Sequence, residues 1–182
     1  YKDDYGVIHK NPHPPLVNIN KSIPDFSLFD PRRFYRPMGG SIFKTFPIET
    51  YRGCPYTCTY CNSPNQKLTA RNEIKTNINQ NHVYKSFLRR KEMDILSSEI
   101  DKVIKENNPE FVYFIDDAFL AKPQKEIYDF CDMYEKYKLP FWFNTRPENC
   151  TRENLKRLKE VNCYRISFGI ECGNESYISQ KS

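Results

Sequence analysis

Met93, Leu96, Ile100, Val103 and Ile104 recur at intervals of three and four residues, and this spacing predicts an amphipathic helix over EMDILSSEIDKVIKEN. Ile127, Phe130, Cys131 and Tyr134 repeat the pattern in a second helix, with Pro123 suited to its first turn. A third helix is expected over RENLKRLKEV, with Thr151 as N-cap and Glu153 in the first turn. Between these stretches lie short apolar, β-rich runs: FPIETY, FVYFI (111–115), PFWFN (140–144) and YRISFGI (164–170). Each reads as a strand. CGNE, after the last strand, is a candidate start for a further helix.

Strand and helix alternate through short connections, which argues for right-handed βαβ units and a parallel sheet. The expected fold is α/β, a partial TIM-type (β/α) barrel with about four of six βα units and an exposed apolar edge at its last strand. In such sheets ligands gather at the carboxyl ends of the strands. The loops after residues 52, 115, 144 and 169 should therefore meet at one mouth. Residues 1–45 break the pattern: closely spaced prolines forbid long helices, Gly39-Gly40 marks a break, and YGVIH suits a short hairpin. They are expected to form an irregular arm or linker ahead of the folded unit at 46–182. Residues 62–85 are polar and Asn-rich and are expected to be irregular.

Composition narrows this picture only a little. With 182 residues, 38% hydrophobic and 28% charged, the chain suits one soluble globular domain. No apolar run reaches the length of a membrane span. The net charge of +5 is spread along the chain and does not by itself argue for a nucleic-acid partner. The sequence starts at Tyr1 and stops just past a strand, so it reads as a piece of a longer protein. Its seven cysteines are odd in number, with three crowded into one loop. That pattern favours a reducing compartment, and hence the cytoplasm, over a disulfide framework.

Those three cysteines carry the chemistry. In YRGCPYTCTYCNSP, Cys54, Cys58 and Cys61 are spaced C-x3-C-x2-C. Thiolates select zinc, copper(I) or iron–sulfur clusters. A structural zinc normally has four protein ligands. Cys131, Cys150, Cys163 and Cys172 offer no second pair, and His9, His13 and His82 lack ligand-like spacing. Three thiolates would leave one iron of a 4Fe–4S cluster open to a non-protein ligand. A non-enzymatic zinc or iron–sulfur module remains the competing reading.

The motif, with the aromatic Tyr60 before its last cysteine and a strand ahead of the loop, resembles the signature of the radical S-adenosylmethionine (SAM) superfamily. That resemblance implies a 4Fe–4S cluster on Cys54, Cys58 and Cys61. Its open iron would chelate the amino and carboxylate groups of SAM. Reductive cleavage would then yield methionine and a 5′-deoxyadenosyl radical. An electron donor such as flavodoxin or ferredoxin and a small-molecule substrate follow from the same resemblance.

Two further segments resemble the branch of that family associated with a cobalamin-binding domain. In FVYFIDDAF, Asp116 and Asp117 would lie near the methionine ammonium, although an Asp pair after a strand also suits turn and N-cap chemistry. In SFGIECGNE, Glu171 would face the mouth and Gly169 and Gly173 would permit close backbone approach; a surface glutamate at a turn is the alternative. Asn144 and Arg146, from FWFNTRPE, would position SAM or substrate, unless Arg146 is spent in a structural salt bridge. Tyr60 would pack near the adenine, or equally in the core. Cys131, Cys150 and Cys163 read as small buried hydrophobes, and Cys172 is given no ligand role.

LVNINKSIPDFSLFD resembles the connector that follows the cobalamin domain, so cobalamin, bound mainly outside this chain, is an implied cofactor and methyl transfer an implied reaction. No Asp-x-His-x-x-Gly motif for a cobalamin ligand occurs in the chain. A methylthiotransferase is an alternative that Pro64 fits, but NQKLTARNEI departs from the Arg-Gly segment expected there.

Overall fold

The computed structural model describes residues 1–11, 14–21, 23–73, 87–171 and 173–174. Seven strands are present among them: β1 (Tyr35–Met38), β2 (Ser41–Ile48), β3 (Tyr51–Arg52), β4 (Arg89–Arg90), β5 (Phe111–Phe114), β6 (Phe141–Thr145) and β7 (Cys163–Phe168). The α-helices are α1 (Ser63–Glu73), α2 (Met93–Asn107), α3 (Gln124–Tyr134) and α4 (Arg152–Glu160). The main sheet has the order β1-β2-β5-β6-β7. Its β2–β5, β5–β6 and β6–β7 pairs are parallel, and β1 adds an antiparallel edge. This is the half-barrel of βα units that the alternating pattern predicts.

One face of the sheet is apolar because alternate strand residues point the same way. Phe46, Ile48, Val112, Phe114, Phe141 and Phe143 meet Leu96 and Ile100 of α2, Ile127, Phe130 and Tyr134 of α3, and Leu158 of α4. Aromatic rings dominate this core. Phe114 meets Phe130 edge-on at 5.0 Å and Phe141 edge-on at 5.3 Å, the geometry that ring quadrupoles favour. Thr151 caps α4 by accepting from the Asn154 backbone N–H. Cys131 is fully buried in this core, and Cys150 and Cys163 are packed against it in part. At the far edge β7 leaves Tyr164 and Phe168 exposed. None of the described helices is long and apolar enough to cross a membrane.

Two expectations about the fold need correction. The strand entering the cysteine loop starts at Ser41, not Phe46, and pairs with β1, so part of the presumed arm belongs to the sheet. Gly39 and Gly40, with φ of +58° and +83°, make the two-residue turn of that hairpin. Prolines hid it: Pro37 sits on the edge strand, and Pro47 lies beyond the Lys44 end of the β1 ladder, where a missing N–H breaks no pairing with β1.

Secondly, Ser63–Glu73 is helical rather than irregular, with Pro64 in the first turn. Its buried residues are Lys67 and Ala70, so no apolar stripe announces it, while Gln66, Lys67, Leu68, Ala70 and Arg71 are good helix formers. Glu99, on the apolar side of α2, is buried and ion-paired with Lys91. Where a short hairpin was expected around YGVIH, an isolated antiparallel bridge joins Lys2 and Ile8. His13, His82, Cys172, the later part of the 62–85 stretch and the residues from 175 onward lie outside the described residues, and Gly173 and Asn174 are in neither helix nor strand.

Candidate functional site

The cysteine loop begins where β2 ends, and its path is held from below. Asp116, expected beside the methionine ammonium, is instead 2% exposed beneath the loop. Its Oδ1 accepts from the backbone N–H groups of Thr50 and Tyr51 at 2.7 and 3.0 Å. Its Oδ2 accepts from the Thr50 hydroxyl and from Lys122 Nζ, the latter at 3.1 Å. Lys122 also donates to Thr50 Oγ1 at 2.8 Å and stands over the Phe119 ring at 4.2 Å. The first aspartate of the pair is thus a brace that ties the end of β5 to the start of the loop.

Gly53 sets the next bend. Its φ of +94° lies in the left-handed region, and a Cβ there would stand 2.7 Å from the Phe87 carbonyl oxygen. Only glycine leaves room for that approach immediately before Cys54. Thr50, Gly53, Lys122 and Phe87 escaped the sequence reading, although a glycine adjoining the first cysteine was the one available signal.

Beyond this brace the strand ends open on one cavity of about 390 Å³. Cys54, Cys58, Tyr60 and Cys61 line it from the loop, Asp117 from the end of β5, Asn144 and Arg146 from β6, and Gly169 and Glu171 from β7. Nine of the eleven residues singled out in the sequence therefore surround the same space, while Asp116 and Gly173 lie outside its wall. Tyr60 is 64% exposed at the rim, which excludes the core-aromatic alternative for it.

Cys54, Cys58 and Cys61 carry free thiols. Cys54 and Cys58 are half-buried and Cys61 is exposed. Burial pushes the Cys54 thiol up. Cys61 N–H donates to the Cys58 carbonyl at 3.2 Å, closing a tight turn between the last two cysteines. Arg146 places Nη1 3.2 Å from Cys58 Sγ and its guanidinium carbon 4.3 Å above the Tyr56 ring. It also pairs with Glu148, so the structural salt bridge exists alongside the sulfur contact. Tyr56 in turn donates to Asn149 on the segment following Arg146.

The acidic groups have distinct surroundings. Asp117 is pushed up, first by burial and then by the like charges of Asp116 and Glu49. Glu171, at φ +59°, folds its carboxylate back onto Gly169, where a Cβ would stand 2.7 Å from Oε1. Asn144 Nδ2 donates to the Tyr113 hydroxyl at 2.5 Å.

Among the described residues, no group of three or more His, Cys, Asp or Glu side chains is arranged to hold a single metal ion. The donor set itself suits a cluster: three free thiols on one loop, each able to hold a different iron, with a cation beside one sulfur. Arg146, Asp117 and Glu171 offer opposite charges around the same space, which matches a zwitterionic ligand.

The family model described as the Radical SAM superfamily matches residues 48–181. No curated protein matches the chain.

Proposed function

This chain belongs to the radical SAM superfamily, a family of enzymes that hold a 4Fe–4S cluster and SAM; from that premise we propose that it is a cobalamin-associated member, a methyltransferase or related radical-transforming enzyme acting on a small molecule. The observation that carries the reading is the convergence of the cysteine loop with the ends of β5, β6 and β7 on one cavity. The branch rests on the Asp-Asp-x-Phe and Gly-Ile-Glu segments. Asp116 braces the loop, Asp117 faces the cavity and Phe119 packs in the core.

The cluster, when bound, supplies the electron that cleaves SAM. Cys54, Cys58 and Cys61 would hold it. Of the two aspartates expected near the methionine ammonium, Asp117, which faces the cavity, would meet it. Arg146 would meet the carboxylate, and Gly169, lacking a side chain, lets the Glu171 carboxylate fold against it. Asn144, fixed by Tyr113, lines the wall between the cluster loop and the rest of the sheet face. A flavodoxin or ferredoxin in a reducing cytoplasm is the proposed electron source.

The test is anaerobic reconstitution with iron and sulfide, followed by reduction in the presence of SAM. The expected outcome is a broad visible absorption with stoichiometric iron and sulfide. Release of 5′-deoxyadenosine or S-adenosylhomocysteine should accompany it. Colourless protein holding one zinc would overturn the enzyme reading in favour of a binding module.

Glu171→Gln is expected to weaken SAM binding by about tenfold, the scale of one charge-assisted hydrogen bond. Its cluster spectrum should remain as in the unaltered protein. Equal SAM affinity in an equilibrium titration would return Glu171 to the surface.

A further inference from the structure

The sheet face turned away from the helices carries a second cavity, of about 560 Å³, a size suited to a small organic ligand. Its floor is the pair Tyr113 and Trp142, whose rings stack 3.9 Å apart with only 10° between their planes. Arg165 of β7 holds its guanidinium carbon 5.5 Å from the Trp142 ring. Phe29, Arg33 and Arg36 complete the wall from the segment that leads into and forms β1.

Three arginines thus line a cavity with an aromatic floor. None of them forms an ion pair with an acidic side chain among the described residues, and Asp30, next to this segment, is engaged by Arg32 at 3.0 Å. Unpaired cations round a concave, partly apolar space favour an anion there. Guanidinium geometry matches carboxylate and phosphate oxygens, and stacked rings take a flat apolar body. A neutral apolar occupant would leave the arginines without a counter-charge. The cavity also adjoins the cysteine-lined one, because the Tyr113 hydroxyl in its floor accepts from Asn144 in the wall of the other.

We infer that this cavity binds the substrate, a small molecule with a flat aromatic body and a carboxylate or phosphate. The anion lies among Arg33, Arg36 and Arg165, and the ring lies on Tyr113 and Trp142. Naming this ligand the substrate rests on the function proposed above, whereas the preference for an aromatic anion rests on the cavity alone.

Trp142 is the single tryptophan of the chain, so its emission reports directly on the cavity. The full chain is titrated with nitrobenzoate, nitrophenyl phosphate and the neutral nitrobenzamide, each a quencher of indole fluorescence. At least one anion is expected to bind about tenfold or more tightly than the amide, as a charge-assisted contact requires. The two anionic probes separate carboxylate from phosphate recognition. Arg36→Gln and Arg165→Gln, both at exposed positions, should each remove most of that preference without changing the far-ultraviolet circular dichroism.

Equal affinity for acid and amide, preference unaltered in both variants, or no quenching at all would each overturn the inference. The same titration on Cys58→Ala protein should give the unaltered preference. Failure of the cluster assignment would then leave the cavity result standing, and the reverse.

Discussion

Cys58→Ala is expected to abolish SAM cleavage in reduced, reconstituted protein and to remove most of the iron–sulfur absorption. The loss should be complete rather than partial. Cys58 sits centrally in the C-x3-C-x2-C loop, half-buried, with Arg146 Nη1 3.2 Å from its sulfur. Two remaining thiolates cannot hold a cluster that three hold, and the Arg146 cation loses an anionic neighbour at the same time. Iron and sulfide analysis with anaerobic product chromatography checks the result. Turnover equal to that of the unaltered protein would refute the ligand assignment.

Asp116→Ala has the largest effect expected on the fold around the site. The side chain of Asp116 is 1% exposed and that of Lys122 is 6% exposed. Removing the carboxylate strands two backbone N–H groups, the Thr50 hydroxyl and the Lys122 ammonium together. Breaking one side of a buried ion pair costs about 3–5 kcal/mol because the other charge stays buried without compensation. Chemical denaturation should register a loss of that order. Asp116→Asn, which keeps an acceptor for the backbone donors but not the charge, should fall between.

The brace also leads directly into the cluster loop, so a second readout follows. Asp116→Ala protein should take up less iron during reconstitution than a core variant of matched stability, such as one truncated at Ile127. Equal uptake by the two would confine Asp116 to general stability.

How far each feature was legible in the sequence depended on how local its physics is. The helix at Met93–Asn107 and the Thr151 cap could be read because periodicity and capping involve residues within one or two turns. Hairpin β1–β2 was obscured by Pro37 and Pro47, whose tolerance depends on where the partner strand lies and how far it runs. Helix α1 lacked an apolar stripe altogether. Glu99 was hidden for a different reason, since its burial needs Lys91, whose position is set by the segment ahead of α2.

The aspartate pair makes the clearest division. Asp116 and Asp117 are adjacent and chemically alike, and nothing in FIDDAF tells which turns under the loop and which faces the cavity. Strand direction at the end of β5 decides it, and the partners Thr50 and Tyr51 lie more than sixty residues away.

By itself, the sequence determined the thiol donor set, the alternation of strands and helices, and hence the end of the sheet at which chemistry gathers. These follow from spacing along the chain, and spacing survives any arrangement of the rest. Only the tertiary structure decided that Asp116 braces while Asp117 faces the cavity, that Arg146 lies on Cys58, and that three arginines line one cavity with Tyr113 and Trp142. Those outcomes depend on strand register and pleat, which set the direction of each side chain through contacts remote in sequence.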